Sequence, residues 1–446
     1  MVYKYRIAAN FIRSKILAHT YKPGEKLPSV QTLSKELSYN SDTIVKAYKL
    51  LEAEHLIYAS FKSGYYVVKS AIPVTEKNNI IDMVTACPPD SVNPYKDFYH
   101  CMEKAIVLYE KKLFEYSSAQ GMPELINVLA KHMANFQVFA KPQDIFITNG
   151  SQQALYILAA IPFPNGRTKV LVEQPTYSVM LQVLELTKTP IIGIERTHEG
   201  IDLSELEAIF KQGDIKFFYT MPRYQNPTGF CYDTVQKKKI INLARQYGVY
   251  IVEDDYLADL ELDAKVDPMY ALGDKEWIIY IRSFSKALLP GLRLGMAIVP
   301  KELQNDFIVY KRGIDLNSPI LTQGALEIYL RSRMYKFHVQ RTKQYYQEKM
   351  NILREECVLN NIVKCYIPPT GIYACLSIDG ISADNLVNRL AKDNVFISST
   401  AGCYIDCFPH PEGIRLCVCK IENEDIGKVI RLINTRMHRQ QKDSCF

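Results

Sequence analysis

The sequence predicts a multidomain α/β protein: a small helical module ending in a hairpin, a mostly parallel α/β sheet domain, and a small α+β domain at the C-terminus. Three observations carry this expectation. From about Ile80 onward, short β-rich apolar runs alternate with helical patterns, as a parallel sheet with crossover helices requires. Residues 1–69 instead show three short helical patterns and one strand–turn–strand pattern. Between them, residues 70–79 are polar with one proline and read as a linker.

At 446 residues the chain has room for about three domain-sized units. With 48% hydrophobic and 23% charged residues it has the balance of a soluble globular protein. No apolar stretch reaches the roughly 20 residues needed to span a bilayer, and Met1–Arg6 lacks an apolar signal core. The expectation is a cytoplasmic protein with no membrane partner. Eleven cysteines are scattered without C-x-x-C spacing, so neither a disulfide framework nor a metal site is expected. Cys417 and Cys419 alternate on what reads as a strand and are expected on opposite sides of a sheet.

The net charge of +6 is unevenly placed. Residues 1–70 hold eleven Lys/Arg against five Asp/Glu, while the remaining 376 residues hold 43 of each sign. That asymmetry points to a small anion-binding module on a neutral body. Within it, Tyr3, Ile7 and Phe11, then Ile12 and Ile16, make the apolar stripe of a first helix. Pro23-Gly24 breaks the chain, and Ser29 is placed to cap a second helix with Val30, Leu33 and Leu37. A polar turn, Ser38–Ser41, precedes a third helix from Thr43 to Leu51. Ile57–Phe61 and Tyr65–Val68 then alternate around Lys62-Ser63-Gly64 as a hairpin does. Three helices and a hairpin make a winged helix-turn-helix, whose third helix enters a DNA major groove while the wing holds phosphates.

The run Pro23-Gly24-Glu25-Lys26-Leu27-Pro28-Ser29, with Thr43, Ala47-Tyr48, Leu50-Leu51 and Ser63-Gly64, resembles the GntR-type DNA-binding domain. The resemblance implies double-stranded operator DNA as partner, with Ser29, Gln31, Ser41, Thr43, Lys46, Lys62 and Gly64 at the contact. Gln31 and Ser41-Asp42 stand where the family often carries arginines, which bears on the DNA sequence preferred. Winged helices also serve as protein–protein modules, and the charge surplus favours DNA.

In the body, the decisive pieces occur in a fixed order. Thr148-Asn149-Gly150-Ser151-Gln152 reads as strand, glycine turn and helix start, where backbone N–H groups and the Ser151 hydroxyl receive a phosphate. Tyr177 ends a later strand and can stack on a planar ring. Asn226, in Asn-Pro-Thr-Gly, can donate to a phenolate, and Tyr256 can bond it beside Asn226. Asp254 closes the strand Val249–Val252, where a carboxylate keeps a pyridine nitrogen protonated. In Ser283-Phe284-Ser285-Lys286, the lysine amine can form a Schiff base with an aldehyde cofactor, and Ser283, Ser285 and Arg293 can grip its phosphate. These are the requirements of a pyridoxal 5′-phosphate (PLP) site.

Together these residues resemble fold-type I aminotransferases over roughly residues 80–440, with a small C-terminal subdomain from about 320. The resemblance implies a homodimer in which Tyr116 reaches the neighbouring subunit's phosphate, and Arg415, in Gly413-Ile414-Arg415-Leu416, takes a substrate carboxylate. Val138-Phe139 stands where relatives often carry Arg-Gly, and Arg223-Tyr224 where many carry Ser-His; these departures bear on the substrate. A GntR-like front on an aminotransferase-like body is similar to the MocR subfamily of bacterial transcription regulators. That implies a PLP-responsive DNA-binding dimer, sensing PLP or its adduct with an amino-acid-like effector on Lys286. The alternative is a working aminotransferase with a secondary DNA-binding module, and a third reading is a silent PLP store or interaction scaffold.

Overall fold

The computed structural model describes residues 4–18, 20–54, 56–60, 63–68, 80–263, 265–286, 288–362, 364–378, 381–406 and 408–443. The chain divides into two units, Met1–Asn79 and Ile80–Phe446.

The first unit folds as three helices, α1 (Lys4–Leu17), α2 (Val30–Leu37) and α3 (Ser41–Ala53), and a hairpin of β1 (Ile57–Ser60) and β2 (Gly64–Val67). Helix α1 buries part of the expected stripe: Ile12 and Ile16 are buried together with Ala8 and Ala9, while Ile7 is 45% exposed. The paired alanines supply a flat surface where α1 packs on α3, which a count of large apolar residues overlooks. Tyr3 lies outside the described residues, as does Lys62 at the hairpin turn. Asn40 caps α3, accepting from Thr43 N at 2.9 Å, so the helix begins at Ser41 rather than Thr43. Tyr48 explains why the front motif holds together: its hydroxyl donates to the Pro28 carbonyl at 2.6 Å, and its ring stacks on Tyr65 at 4.4 Å.

The second unit opens with β3 (Ile81–Asp82) and is built on a seven-stranded sheet. Its strands are β4 (Ile145–Thr148), β5 (Lys169–Gln174), β6 (Ile191–Glu195), β7 (Ile215–Thr220), β8 (Tyr250–Asp254), β9 (Ile278–Ser283) and β10 (Gly295–Ile298), in the order β4-β10-β9-β8-β7-β5-β6. Only β10 runs antiparallel to its neighbours. Every residue of β4, β7, β8, β9 and β10 is buried, which is why these strands read as unbroken apolar runs: helices cover both faces. The carboxyl ends of β4, β5, β7, β8 and β9 therefore open along one edge, where ligands bind in such sheets.

The smaller sheet contains β11 (Cys365–Tyr366), β12 (Tyr373–Ser377), β14 (Ser398–Ser399) and β15 (Gly413–Cys417), antiparallel in the order β11-β12-β15-β14. Strand β13 (Val395–Phe396) pairs in parallel with β3, so the first residues after the linker join this smaller domain. The helix Ile320–Arg331 does not: Ile320, Leu326 and Tyr329 share a core with Phe98, Cys101 and Ala105 against the large sheet. Met334, Tyr335 and Val339, at the start of the next helix (Met334–Leu359), pack in the same core, while Tyr346, Met350 and Leu353 further along it pack with Leu376 and Ile414 of the smaller sheet. A helical period reveals that a face is apolar, not which layer covers it. Cys417 and Cys419 are neighbours rather than on opposite sides, because residues two apart on an extended strand share a face. Among the described residues no helix is long and apolar enough to cross a membrane.

Candidate cofactor-binding site

The carboxyl ends of the parallel strands surround a cavity of about 290 Å³. At the end of β4 the chain turns through Gly150 (φ 72°) into the helix Gly150–Ala160. A Cβ on Gly150 would lie 2.7 Å from Arg293 Nη2, so glycine lets the guanidinium reach the helix N-terminus. Gly295 on β10 brings that helix start close, since a Cβ there would lie 2.6 Å from the Gly150 carbonyl carbon. Ser151 and Gln152 line the cavity beside Arg293. Gln152 accepts from Arg293 Nη2 at 3.3 Å and donates to the Tyr177 hydroxyl at 3.2 Å. A guanidinium, free backbone N–H groups and a serine hydroxyl at a helix N-terminus make an anion site.

The run Glu253-Asp254-Asp255 holds three consecutive buried carboxylates, and their partners tell them apart. Glu253 accepts from the backbone N–H groups of Met269 and Tyr270, both at 2.8 Å. Asp255 takes both arms of Arg223 at 2.6 Å and the Tyr280 hydroxyl at 2.7 Å. Asp254 accepts from the Tyr219 hydroxyl at 3.0 Å through Oδ2, while its buried Oδ1 has no partner among the described residues. It alone of the three lines the cavity. Burial pushes its carboxyl up to about 7, with the Tyr219 hydrogen bond opposing and the Asp255 charge adding. A buried acceptor without a donor is costly, and a ring N–H⁺ in the cavity would complete it.

Ser283 ends β9, its hydroxyl accepting from Ser285 N at 3.2 Å. Lys286 follows, and its Nζ donates to the Ala86 carbonyl at 2.8 Å. Burial pushes its amine below the usual lysine range, toward the neutral form that acts as a nucleophile. Arg415 donates from Nη1 to Asn226 Oδ1 at 3.1 Å and from Nη2 to Ser398 Oγ at 3.3 Å, over the Tyr373 ring at 4.7 Å. Its buried Nε has no partner among the described residues. Tyr256 lines the cavity, but its hydroxyl donates to the Tyr224 carbonyl at 2.6 Å. Its one proton is therefore held by the backbone and is not free for the expected phenolate.

Tyr116 is not brought to the cavity: it is 89% exposed and lies beside Leu113 and Pro123. In the first unit, Ser29 caps α2, accepting from Thr32 N at 3.1 Å. Gln31, Ser41 and Lys46 are exposed, with Asp42 and Lys49 on the same side of α3 as Lys46. Thr43 is half-buried and hydrogen-bonded to Asn40 Oδ1, and Gly64 (φ 117°) starts β2.

The family description "aminotransferase class I and II" matches residues 91–433, and "bacterial regulatory proteins, gntR family" matches residues 4–67. The chain belongs to the aminotransferase class I and II family. It carries a GntR-type helix-turn-helix domain in front of that family's domain, the pairing of the MocR-type regulators. It is 38% identical over 442 residues, 97% of this chain and all of the relative, to "Uncharacterized HTH-type transcriptional regulator YcxD" of Bacillus subtilis (strain 168). The "2-aminoadipate transaminase" of Thermus thermophilus is 25% identical, covering 82% of this chain and 91% of its own. Among solved structures, an archaeal alanine:glyoxylate aminotransferase superposes with a TM-score of 0.75 at 23% identity, over 81% of this chain and 91% of that one. LysN of Thermus thermophilus, an alpha-aminoadipate aminotransferase complexed with N-(5'-phosphopyridoxyl)-L-leucine, gives 0.74 at 23%, over 82% and 94%. These last two establish the fold of the aminotransferase domain.

The cofactor of this aminotransferase domain is PLP, and the residues present fit it: an anion site at Gly150–Gln152 and Arg293, an amine at Lys286, and an unpaired acceptor at Asp254. The sequence reading missed Ser178, Val179, Met221 and Tyr373, which also line the cavity, and Tyr219 behind Asp254. Only Tyr219 had a signal, because a tyrosine in a fully buried strand needs a hydroxyl partner. Arg223 does not line the cavity; its pairing with Asp255 gives it a structural role rather than one toward substrate. Tyr219→Phe is expected to raise the Asp254 carboxyl further and weaken PLP binding several-fold near pH 7. Because higher pH restores the carboxylate, the gap from wild type narrows toward about pH 9; PLP titrations across that range check it.

Proposed function

We propose that this protein is a cytoplasmic DNA-binding transcription regulator whose aminotransferase-like domain senses PLP, an amino compound, or both at Lys286. The observation that carries this reading is the convergence of amine, carboxylate, anion site and arginine in one cavity, on a chain that also carries a GntR-type module. When bound, PLP supplies an aldehyde and an electron-withdrawing ring. Lys286 Nζ would bond the aldehyde, Asp254 Oδ1 would receive the ring N–H, and Asn226 would face the phenolate. Tyr177 would stack on the ring, while Gly150, Ser151, Gln152, Ser283, Ser285 and Arg293 would hold the phosphate. Arg415, with Nε unpaired, takes the carboxylate of an amino compound as a bidentate pair.

The regulator acts as a homodimer on operator DNA, through α3 with Ser41, Thr43 and Lys46, and through Ser29, Gln31, Lys62 and Gly64. Tyr95, Tyr99, Val107, Leu108, Phe114 and Tyr116 are large apolar side chains left exposed within 22 residues of chain, a concentration that suits an interface. A second copy covers it and receives Tyr116. The test is fluorescence anisotropy on the gene's own upstream DNA, with nonspecific competitor at fixed salt, for wild type and Lys286→Ala with and without PLP. PLP is expected to shift wild-type affinity by about 5–150-fold and to leave Lys286→Ala unmoved; equal responses would reject the reading.

A second reading, an active aminotransferase with a secondary DNA-binding module, is favoured by one observation: the low-pKa amine of Lys286 and Arg415 share the cavity. Multiple-turnover exchange between an amino acid and an oxo acid would decide for it.

A further inference from the structure

Residues 70–79 lead from the GntR-type unit into β3, and the chain passes the cavity directly afterwards. Strand β3 is pinned to the smaller domain: Ile81 N donates to the Asn394 carbonyl and Met83 N to the Phe396 carbonyl, each at 2.9 Å. The Met83 carbonyl accepts from Cys417 N at 2.8 Å, and the Thr85 carbonyl accepts from Cys417 Sγ at 3.4 Å. One residue on, the Ala86 carbonyl accepts from Lys286 Nζ at 2.8 Å. Cys417 sits two residues from Arg415 on β15, whose partner β14 is separated from β13 by Ile397 alone. Both groups that meet a ligand in this reading, Lys286 and Arg415, therefore bear on residues 81–86.

We propose that residues 81–86 are the element that reports the state of the cavity to the DNA-binding unit, with the Lys286–Ala86 hydrogen bond as its latch. The inference rests on the reading that Lys286 bonds PLP. Condensation of the neutral Lys286 amine with an aldehyde forms a C=N bond and expels one water, which carries the aldehyde oxygen and both N–H hydrogens. The imine nitrogen keeps no N–H to donate, and the Ala86 carbonyl loses its donor. Residues 81–86, which continue from the linker, are then held by Asn394, Phe396 and Cys417 without the Lys286 anchor, so the segment moves with the smaller domain. A ligand that favours the released state shifts operator affinity, and operator DNA shifts PLP affinity by the same factor.

The experiment uses the full-length protein. If release is what PLP brings about, ligand-free Lys286→Ala, and Lys286→Met, which keeps the packing of the stem, match the operator affinity of PLP-loaded wild type. If they match ligand-free wild type instead, the latch is rejected while the PLP response of wild type still supports the regulator reading. Hydrogen–deuterium exchange without DNA or PLP decides the point separately. Peptides spanning 84–90 are expected to exchange several-fold faster in both variants than in wild type, and equal exchange would overturn the proposal even if wild type ignores PLP.

Discussion

Asp254→Asn is expected to weaken PLP binding by about 100-fold to more than 1,000-fold, because removing one partner of a buried ion pair costs about 3–5 kcal/mol. The amide keeps the volume and can still accept from Tyr219, so the change isolates the charge. Without ligand the sign reverses. The Asp254 carboxyl, pushed up to about 7, holds its proton to higher pH in the folded chain than in the unfolded one. Folding stability from this group therefore falls as pH rises from about 4 to about 7, by on the order of a few kcal/mol, and stays low above that. Ligand-free Asp254→Asn should accordingly melt above ligand-free wild type at about pH 8 and lose that advantage near pH 4. Calorimetry at the two pH values, with a PLP titration alongside, checks both signs; a variant with unchanged PLP affinity would remove Asp254 from the ring nitrogen.

Arg415→Met is expected to abolish the response to amino compounds while PLP binding stays within a few-fold. A charge-assisted bidentate pair in a buried site contributes about 2–5 kcal/mol, or roughly 30- to 4,000-fold in the ligand's Kd. Arg415→Lys should recover little, since one ammonium cannot reproduce the planar fork. The measurement is titration of the PLP-loaded protein with amino acids, followed by the change in cofactor absorbance. Removal of Arg415 also takes a donor from Asn226 Oδ1, so a small change in PLP affinity is expected even for a residue acting only on the carboxylate.

Much of the site was readable because of where a parallel sheet puts ligands. Gly150 and Ser151 follow β4, Asn226 follows β7, Asp254 ends β8, and Lys286 follows β9. Each is a local motif at a strand end, and the chain order of such motifs needs no knowledge of the fold. Residues acting through a neighbouring strand left no comparable trace. Tyr219 reaches Asp254 only because β7 pairs with β8, and Tyr373 lies under Arg415 only because β12 pairs with β15. Ile12 and Ile16 of the α1 stripe are buried as expected, but Ala8 and Ala9 were missed for a related reason: their close packing depends on the partner helix, not on hydrophobicity along the chain.

By itself the sequence determined the two-part organisation, the cationic front unit, the cofactor class and most of the residues that line the cavity. Those properties reside in residue chemistry and short spacings, which survive any rearrangement of the layers. Only the tertiary structure decided which of three adjacent buried carboxylates keeps an oxygen unpaired, that Arg223 serves Asp255, and that Ala86 meets Lys286 across 200 residues of chain. Hydrogen bonds depend on position within a few tenths of an ångström, and that precision comes from close packing of strands and helices far apart in sequence.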